Sequence, residues 1–285
     1  MKAKQPPPNT IGPLLQWAYA QLGTENRNPR LDAEIIMAEL LQQDRSYLYA
    51  HADQCLHFET VQRFQAQIKQ RKQGQPVAYI TGVRNFWSLR LRVNQHTLIP
   101  RPETEHLVEQ SLTCNDGQTP LQVLDLGTGS GAIALALGKT CPHWQVTACD
   151  KSAKALEVAQ LNTEFLSINN VDFIQSDWFS NLQGKFDLIV SNPPYVAQKD
   201  PCLTQDGLRF EPTNALVSGS DGLKDIRHIV ANAGSYLTPG GSLFFDHGAQ
   251  QKADCQALLK EHDYNDIFTY QDLAGHPRIS GGHHG

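Results

Sequence analysis

From about Thr119 onward the chain alternates short apolar runs with segments of helical periodicity, and this alternation limits the possible folds more than any other feature of the sequence. QVLDL, WQVTAC, VDFIQ, FDLIV and GSLFF read as strands. GAIALALGK, SAKALEVAQLNTEFL, GLKDIRHIVANAGSYL and QQKADCQALLKEH read as the helices between them. Such alternation calls for an α/β fold, a mostly parallel, doubly wound sheet covered on both faces. Ligands of these sheets sit beyond the carboxyl ends of the strands. The residues at those ends are therefore the first candidates for function.

The segment before this region has a different character. Residues 6–8 are Pro-Pro-Pro, which reads as a leader that cannot enter a helix. From Thr10 to about Gly74 the pattern is helical. Leu31, Ile35, Ala38 and Leu41 recur at helix spacing, as do Phe58, Val61, Phe64 and Ile68, and Asp32 and Glu34 suit a helix first turn after Asn28-Pro29. Short helices with polar outer faces suggest a small bundle that docks a partner. PVAYITGV and LRLRVNQHTLI are β-like, so residues 76–100 read as a hairpin linker. The expected organisation is a helical domain over 1–75, the linker over 76–100 and a catalytic domain over 101–285.

Composition narrows the classes. With 285 residues, 40% hydrophobic and 19% charged, the chain suits a soluble globular protein. A net charge of −5 argues against a protein whose main task is neutralising phosphates. Basic residues cluster locally (Lys69, Arg71, Lys72; Arg84, Arg90, Arg92, Arg101), as a solvated helix end and hairpin face also would. The six cysteines form no Cys-x-x-Cys pair and have no histidines at zinc spacing, so no metal site is expected. Unpaired thiols, an N-terminus without a signal-peptide core and the lack of an apolar run of membrane-spanning length suggest a cytoplasmic protein with no membrane partner. A monomer is expected. His283 and His284 read as tail residues rather than a ligand pair.

Three strand ends carry a consistent set of groups. The first strand runs into Gly127-Thr128-Gly129-Ser130-Gly131 and then a helix. Glycines there permit tight turning and let a ligand approach the main chain. A dinucleotide fingerprint would place the third glycine one residue later; the tighter spacing resembles the first motif of S-adenosylmethionine methyltransferases. A purely structural turn is the alternative. The second strand leads to Asp150, roughly 20 residues past the loop, where a carboxylate can grip both ribose hydroxyls. Asp150 could equally cap the helix that follows. The third ends in Ser176-Asp177-Trp178-Phe179, with an acid to accept from an adenine amino group and an aromatic ring to stack on the base. A tryptophan in the core is the plainer reading of Trp178.

The fourth strand ends in Asn192-Pro193-Pro194-Tyr195. An amide nitrogen is a poor nucleophile because its lone pair is delocalised into the carbonyl. It needs its NH2 held by acceptors so that the lone pair faces an electrophile. The Asn192 side-chain oxygen and the Pro193 carbonyl can do this, the prolines stiffen the turn, and Tyr195 can pack on the flat amide. By itself the motif could be a strand-ending turn. After a Gly-Thr-Gly-Ser-Gly loop it points to chemistry.

Together these residues resemble the HemK/PrmC family of release factor glutamine methyltransferases over nearly the whole chain. The likeness includes Gly74-Gln75-Pro76-Val77, Tyr79-Ile80-Thr81-Gly82, Phe86-Trp87, Ile99-Pro100-Arg101-Pro102-Glu103-Thr104-Glu105 and Arg209-Phe210-Glu211-Pro212. It implies a helical N-terminal domain, a hairpin and a Rossmann-like class I methyltransferase domain with a reversed last strand. It also implies S-adenosylmethionine as cofactor and the glutamine of the Gly-Gly-Gln loop of release factors as substrate. By motif, Gly127–Gly131, Asp150, Asp177, Trp178 and Asn192 would touch the cofactor, and Asn192–Tyr195 would hold the target amide. Arg101 and Glu105 would brace the cofactor pocket. Related ribosomal-protein glutamine methyltransferases carry Pro-Arg-Ser-Pro in place of this Arg-Pro-Glu-Thr-Glu. A nucleic-acid adenine N6-methyltransferase would share Asn-Pro-Pro-Tyr, but needs a basic groove for its backbone; direct nucleic-acid binding is not expected. A non-catalytic binding module would have no need of an intact loop, Asp150 and Asn192 together.

Overall fold

A computed structural model describes residues 9–23, 28–114, 119–205 and 207–285; the proline leader at 6–8 lies outside these. The chain divides into two compact units between Gly82 and Val83.

The first unit holds five helices: α1 (Ile11–Leu22), α2 (Pro29–Leu41), α3 (Arg45–Ala50), α4 (Phe58–Lys72) and α5 (Val77–Thr81). Its core is built from Ile11, Leu14, Ala18, Ile36, Met37, Leu48, Phe64 and Ile68. The expected stripe on α2 is rotated. Ala38 is buried as expected, but so are Ala33, Ile36 and Met37, while Ile35 and Leu41 are half-buried and Leu31 is exposed. The charged residues of α2, Arg30, Asp32, Glu34 and Glu39, fall on two sides of the helix, so spacing alone leaves its orientation open, and one of them is buried. Glu34 is only 3% exposed. It accepts from the Tyr19 hydroxyl at 3.0 Å, from the Tyr49 hydroxyl at 2.5 Å, and from Arg45 Nε and Nη2 at 3.0 and 2.5 Å. Burial alone would raise its carboxyl, but these bonds outweigh it and hold the group below its ordinary value. Only Asp32 serves the first turn of α2, and it also pairs with Arg71 Nε at 2.6 Å. On α4, Val61, Phe64 and Ile68 are buried as expected, whereas Phe58 at the helix start is 73% exposed.

The β-like reading of PVAYITGV is corrected: Val77–Thr81 is a helix, ended by Gly82 in the left-handed region at φ 77°. Pro76 stands at its N-cap, and the segment is too short for apolar content to separate helix from strand. The rest of the expected linker falls in the second unit.

That unit opens with a hairpin, β1 (Val83–Phe86) and β2 (Leu89–Arg92), whose two turn residues Trp87 and Ser88 both have positive φ. Such mirror-image turns match the twist of the flanking strands. Phe86, Leu89 and Leu91 pack into the core of this unit. Then follow α6 (Glu105–Thr113), β3 (Gln122–Leu126), α7 (Ala132–Thr140), β4 (Gln145–Asp150), α8 (Ala153–Leu166), β5 (Val171–Gln175), β6 (Phe186–Ser191), α9 (Lys224–Ala233), β7 (Leu237–Asp246), α10 (Lys252–Glu261), β8 (Tyr264–Gln271) and β9 (Pro277–His284). All five expected strands are present. The sheet order is β5-β4-β3-β6-β7-β9-β8, with the first five parallel and β9 reversed against both neighbours. Alternate residues of β3 feed different cores, Val123 into one and Leu124 and Leu126 into the other. Both faces of the sheet are therefore buried.

His283 and His284 are not tail residues. They lie in β9 between β7 and β8, with His283 Nδ1 2.8 Å from Ser242 Oγ and the His284 ring edge-on to Tyr264. The preceding Gly281 is paired with Phe244 on one side and Phe268 on the other, whose rings meet edge to face at 4.7 Å. A Cβ there would run into the Leu243 carbonyl and the Phe268 ring. Gly281→Ala is therefore expected to destabilise the protein by about 1–3 kcal/mol, the scale of overpacking a core. Urea denaturation checks this, and an unchanged midpoint would contradict it.

Candidate active site

The expected residues gather at the carboxyl edge of the sheet because its central strands end in step. Leu126 of β3 is the register partner of Cys149 in β4 and Ser191 in β6, and Asp150 is the partner of Gln175 in β5. The Gly127 and Thr128 N–H groups both donate to the Cys149 carbonyl at 2.9 Å, folding the loop over the end of β4. Gly127, Gly129 and Gly131 all have positive φ. The Trp178 ring lies beside Gly127, where an added Cβ would stand 3.5 Å from it. Gly131 begins α7, and a Cβ there would collide with Leu135 and crowd Ala159 of α8; its role is close helix packing.

Asp150 is held from two sides. Its Oδ2 accepts from the Gly129 N–H at 2.9 Å and its Oδ1 from the Ser152 N–H at 2.8 Å. It is not the helix cap: Ser152 takes that position on α8, its side chain accepting from the Ala155 N–H. Burial raises the Asp150 carboxyl, opposed by the N–H groups of Ser152, Gly129 and Lys151. Beneath the loop lies a second acid that sequence reasoning missed. Asp125 is fully buried; its Oδ2 accepts from the Thr128 hydroxyl at 2.6 Å and the Ala134 N–H at 3.2 Å, while Oδ1 has no partner. Burial pushes its carboxyl up to about 7.

These elements enclose a cavity of about 330 Å³ lined by Gly127–Ser130, Asp150, Asp177, Trp178, Asn192 and Pro194. Gly131, Pro193 and Tyr195 do not line it. Pro193 and Tyr195 instead face a smaller cavity of about 140 Å³, together with Arg101 and Leu208. Asn192, Leu98 and Ala215 line both. Asn192 thus stands at the junction of two cavities. Asp177 is at the exposed rim, paired with Lys151 Nζ at 2.6 Å. The Tyr195 phenol is pushed up to about 12 by burial, with Asp246 adding to the effect. Its carbonyl accepts from Gln251 Nε2 at 3.1 Å.

The larger cavity fits an adenosine ligand. An acid at the second strand end, an aromatic face at the third, a loop without Cβ atoms at its glycines and the buried, unpartnered Ser130 Oγ form a suitable donor and acceptor set. Among the described residues no cluster of His, Cys, Asp or Glu is arranged to hold a metal ion.

Several supporting residues escaped the sequence reading, although Thr104 and Glu211 lie in motif segments it had noted. Asn192 Nδ2 donates to Thr104 Oγ1 at 3.0 Å, and Thr104 Oγ1 donates to Asp246 Oδ2 at 3.0 Å. Glu211 is buried, accepts from the Ile99 N–H at 3.0 Å and pairs with Arg101 Nη2 at 2.5 Å. Arg101 therefore braces the wall of the smaller cavity rather than the larger one. Glu105 lines neither; it accepts from the Trp87 N–H at 3.1 Å and holds the hairpin turn. Asn162 of α8 donates to the carbonyls of Ser130 and Arg92 and accepts from the Arg92 N–H, pinning β2 to the glycine loop.

Comparison with known proteins agrees with this geometry. The PrmC N-terminal domain family matches residues 13–82, and the methyltransferase small domain family matches residues 104–209. The release factor glutamine methyltransferase of Xylella fastidiosa (strain 9a5c) is 48% identical over 257 residues, 90% of this chain and 94% of the relative. That of Shewanella oneidensis is 43% identical over 273 residues, 95% of each. That of Escherichia coli (strain K12) is 42% identical over 267 residues, 93% of this chain and 96% of the relative. Among solved structures, a methyltransferase from Pyrococcus furiosus superposes with a TM-score of 0.54 at 20% identity, covering 78% of this chain and 98% of that one. At this identity the superposition supports the shared fold.

The two-cavity edge rests on the buried Asp125, whose raised carboxyl fixes a sign. A group lifted on folding contributes stability at low pH and loses it as the pH rises through its folded value, here about 7. Asp125→Asn keeps an acceptor for Thr128 without that loss. It is expected to be more stable than the parent at pH 8 by about 1–3 kcal/mol, with the gap closing at pH 5. Calorimetric melting at both pH values checks this; a gap that does not change with pH would contradict it.

Proposed function

The chain belongs to the release factor glutamine methyltransferase family, and from that membership we propose that it transfers one methyl group to the side-chain amide nitrogen of the glutamine in the Gly-Gly-Gln loop of peptide chain release factors. S-adenosylmethionine, the cofactor of this fold, supplies the electrophilic methyl group when bound. The observation that carries the reading is the position of Asn192, which lines both the cavity suited to the adenosine ligand and the smaller one beside Pro193 and Tyr195.

In this reading Gly127–Ser130, Asp150 and Trp178 hold the cofactor. Asp150 offers its remaining lone pairs to the ribose hydroxyls, and Trp178 offers its face to the base. Asn192 Oδ1 and the Pro193 carbonyl accept from the two N–H groups of the target amide, so that the lone pair of the weakly nucleophilic nitrogen is aimed through the junction. Pro193 and Pro194 have no N–H to compete and restrict the turn in advance. Such positioning can be worth about 7–11 kcal/mol of barrier. The Tyr195 ring packs against the flat amide. No base is needed before attack, because the nitrogen sheds its proton afterwards.

Among the described residues, those lining the two cavities all belong to the second unit. We assign the first unit the docking of the protein substrate, the role proposed for residues 1–75 on sequence grounds. The same reading places the protein in the cytoplasm, where release factors act. Among the described residues no helix is long and apolar enough to cross a membrane.

Two substitutions should separate binding from chemistry. Asp150→Ala is expected to weaken cofactor binding by about 1.5–3 kcal/mol, the scale of lost charge-assisted hydrogen bonds, with little effect on turnover at saturation. Asn192→Ala is expected to lower turnover by at least about 100-fold while cofactor affinity stays within a few-fold. Calorimetry and turnover on the same preparations check both; a reversed pattern would contradict the assignment.

The substrate is tested directly. Tandem mass spectrometry of a release factor incubated with enzyme and S-adenosylmethionine should find one methyl group on the glutamine of the Gly-Gly-Gln loop. Changing that glutamine to glutamate removes the nucleophilic nitrogen and should abolish labelling. A methyl group on another residue, or a duplex oligonucleotide as the better acceptor, would overturn the proposal.

A further inference from the structure

Asn192 can act as proposed only if its carboxamide is the right way round, and nothing in Asn192 itself decides that. Rotated by half a turn, the same side chain would offer N–H groups to the substrate amide where an acceptor is needed. The deciding contacts come from behind. Asn192 Nδ2 is 3.0 Å from Thr104 Oγ1, and Thr104 Oγ1 is 3.0 Å from Asp246 Oδ2. Thr104 is 4% exposed and Asp246 is also 4% exposed.

A threonine hydroxyl has one proton. While Asp246 is ionised it can only accept, so Thr104 must spend its proton on Asp246 and has only lone pairs left for Asn192. Asn192 then has to turn its NH2 toward Thr104, and Oδ1 faces the cavities. If Asp246 takes a proton from solvent, it can donate to Thr104 Oγ1. The threonine proton is then free to reach Asn192 Oδ1, and the amide can reverse. The direction of every bond in the chain follows from the charge on its last member.

Resting on the reading of Asn192 as the acceptor for the target amide, we propose that Thr104 and Asp246 are positioning residues, and that the ionised Asp246 carboxylate sets the orientation of Asn192 through the Thr104 hydroxyl. Three elements come together here: the turn before α6 supplies Thr104, β7 ends in Asp246, and Asn192 follows β6. The charged and titratable groups around Asp246 are Arg278 of β9, Glu103 beside Thr104, His106 of α6 and Tyr195. Burial is the largest influence and lifts the carboxyl to about 7; the Thr104 bond and Arg278 oppose it, and Glu103 adds to it. The proton that reverses the chain is thus exchanged near neutral pH.

The test uses the full-length enzyme with a release factor as substrate. Thr104→Val keeps the shape and removes the relay; kcat should fall by about 10–100-fold, while cofactor affinity by calorimetry stays within about threefold. Thr104→Ser restores the hydroxyl and should recover most of the rate. In the parent enzyme kcat should decline toward acid pH with a midpoint near 7. That limb should vanish in Asp246→Asn and persist in Asp125→Asn. A Thr104→Val enzyme with the parental rate, a Thr104→Ser enzyme as slow as the valine variant, or an acid limb that survives Asp246→Asn would overturn the relay. Asn192→Ala separates the two levels. If it is inactive while Thr104→Val is fully active, only the relay fails; if it is itself active, the amide-holding role of Asn192 fails with it.

Discussion

Two N–H groups sharing one carbonyl organise the catalytic edge. By donating to Cys149, Gly127 and Thr128 stop β3 and bend the chain across the end of β4. The bend brings the Gly129 N–H to Asp150, presents Gly127 to the Trp178 ring and sets Gly131 at the start of α7. It requires three residues in the left-handed region within five positions, which side chains resist and glycine does not. β2 is tied to the same loop through Asn162.

The buried acids show how differently structure and chemistry use the same group. Glu34 receives four hydrogen bonds, and its charge is well accommodated. Asp125 and Asp246 receive fewer, and both are lifted to about 7. Burying a carboxylate with few donors is unfavourable. Both poorly served acids lie at the carboxyl edge of the sheet, on β3 and at the end of β7, while the well-served one lies on α2 of the helical unit.

Much of this could be read from the sequence, for physical reasons that also explain the failures. Parallel strands buried on both faces are continuous apolar runs, so β3 to β7 were legible, and the Gly-rich loop and Asn-Pro-Pro-Tyr followed as strand-end features. Asp150, Trp178 and Asn192 fall where that reasoning put them. The face of α2 departs from the expected stripe because its charged residues fall on two sides and blur the periodic signal, and Glu34, expected as a first-turn acid, is buried among hydrogen-bond donors. The residue pattern alone hid β9, the reversed last strand that the resemblance implied, because Gly281 and Gly282 look like a loop, whereas here Gly281 makes room for Phe268. Thr104, Asp246 and Glu211 are far apart in sequence from the groups they serve, and no local pattern reveals a hydrogen bond closed across a fold.

The position of β9 also governs how the molecule can assemble. It pairs on one side with β7 and on the other with β8, and β8 makes no pairing with β7. Until β9 is inserted, the Leu243-Phe244-Phe245 segment of β7 stays an open, apolar sheet edge, the kind that recruits other chains. Insertion depends on contacts distant along the sequence, which form slowly. The same strand pairs Ile279 with Asp246, the last residue of β7. The strand that closes the vulnerable edge thus also pairs with Asp246, and a chain caught before its insertion would be left prone to association.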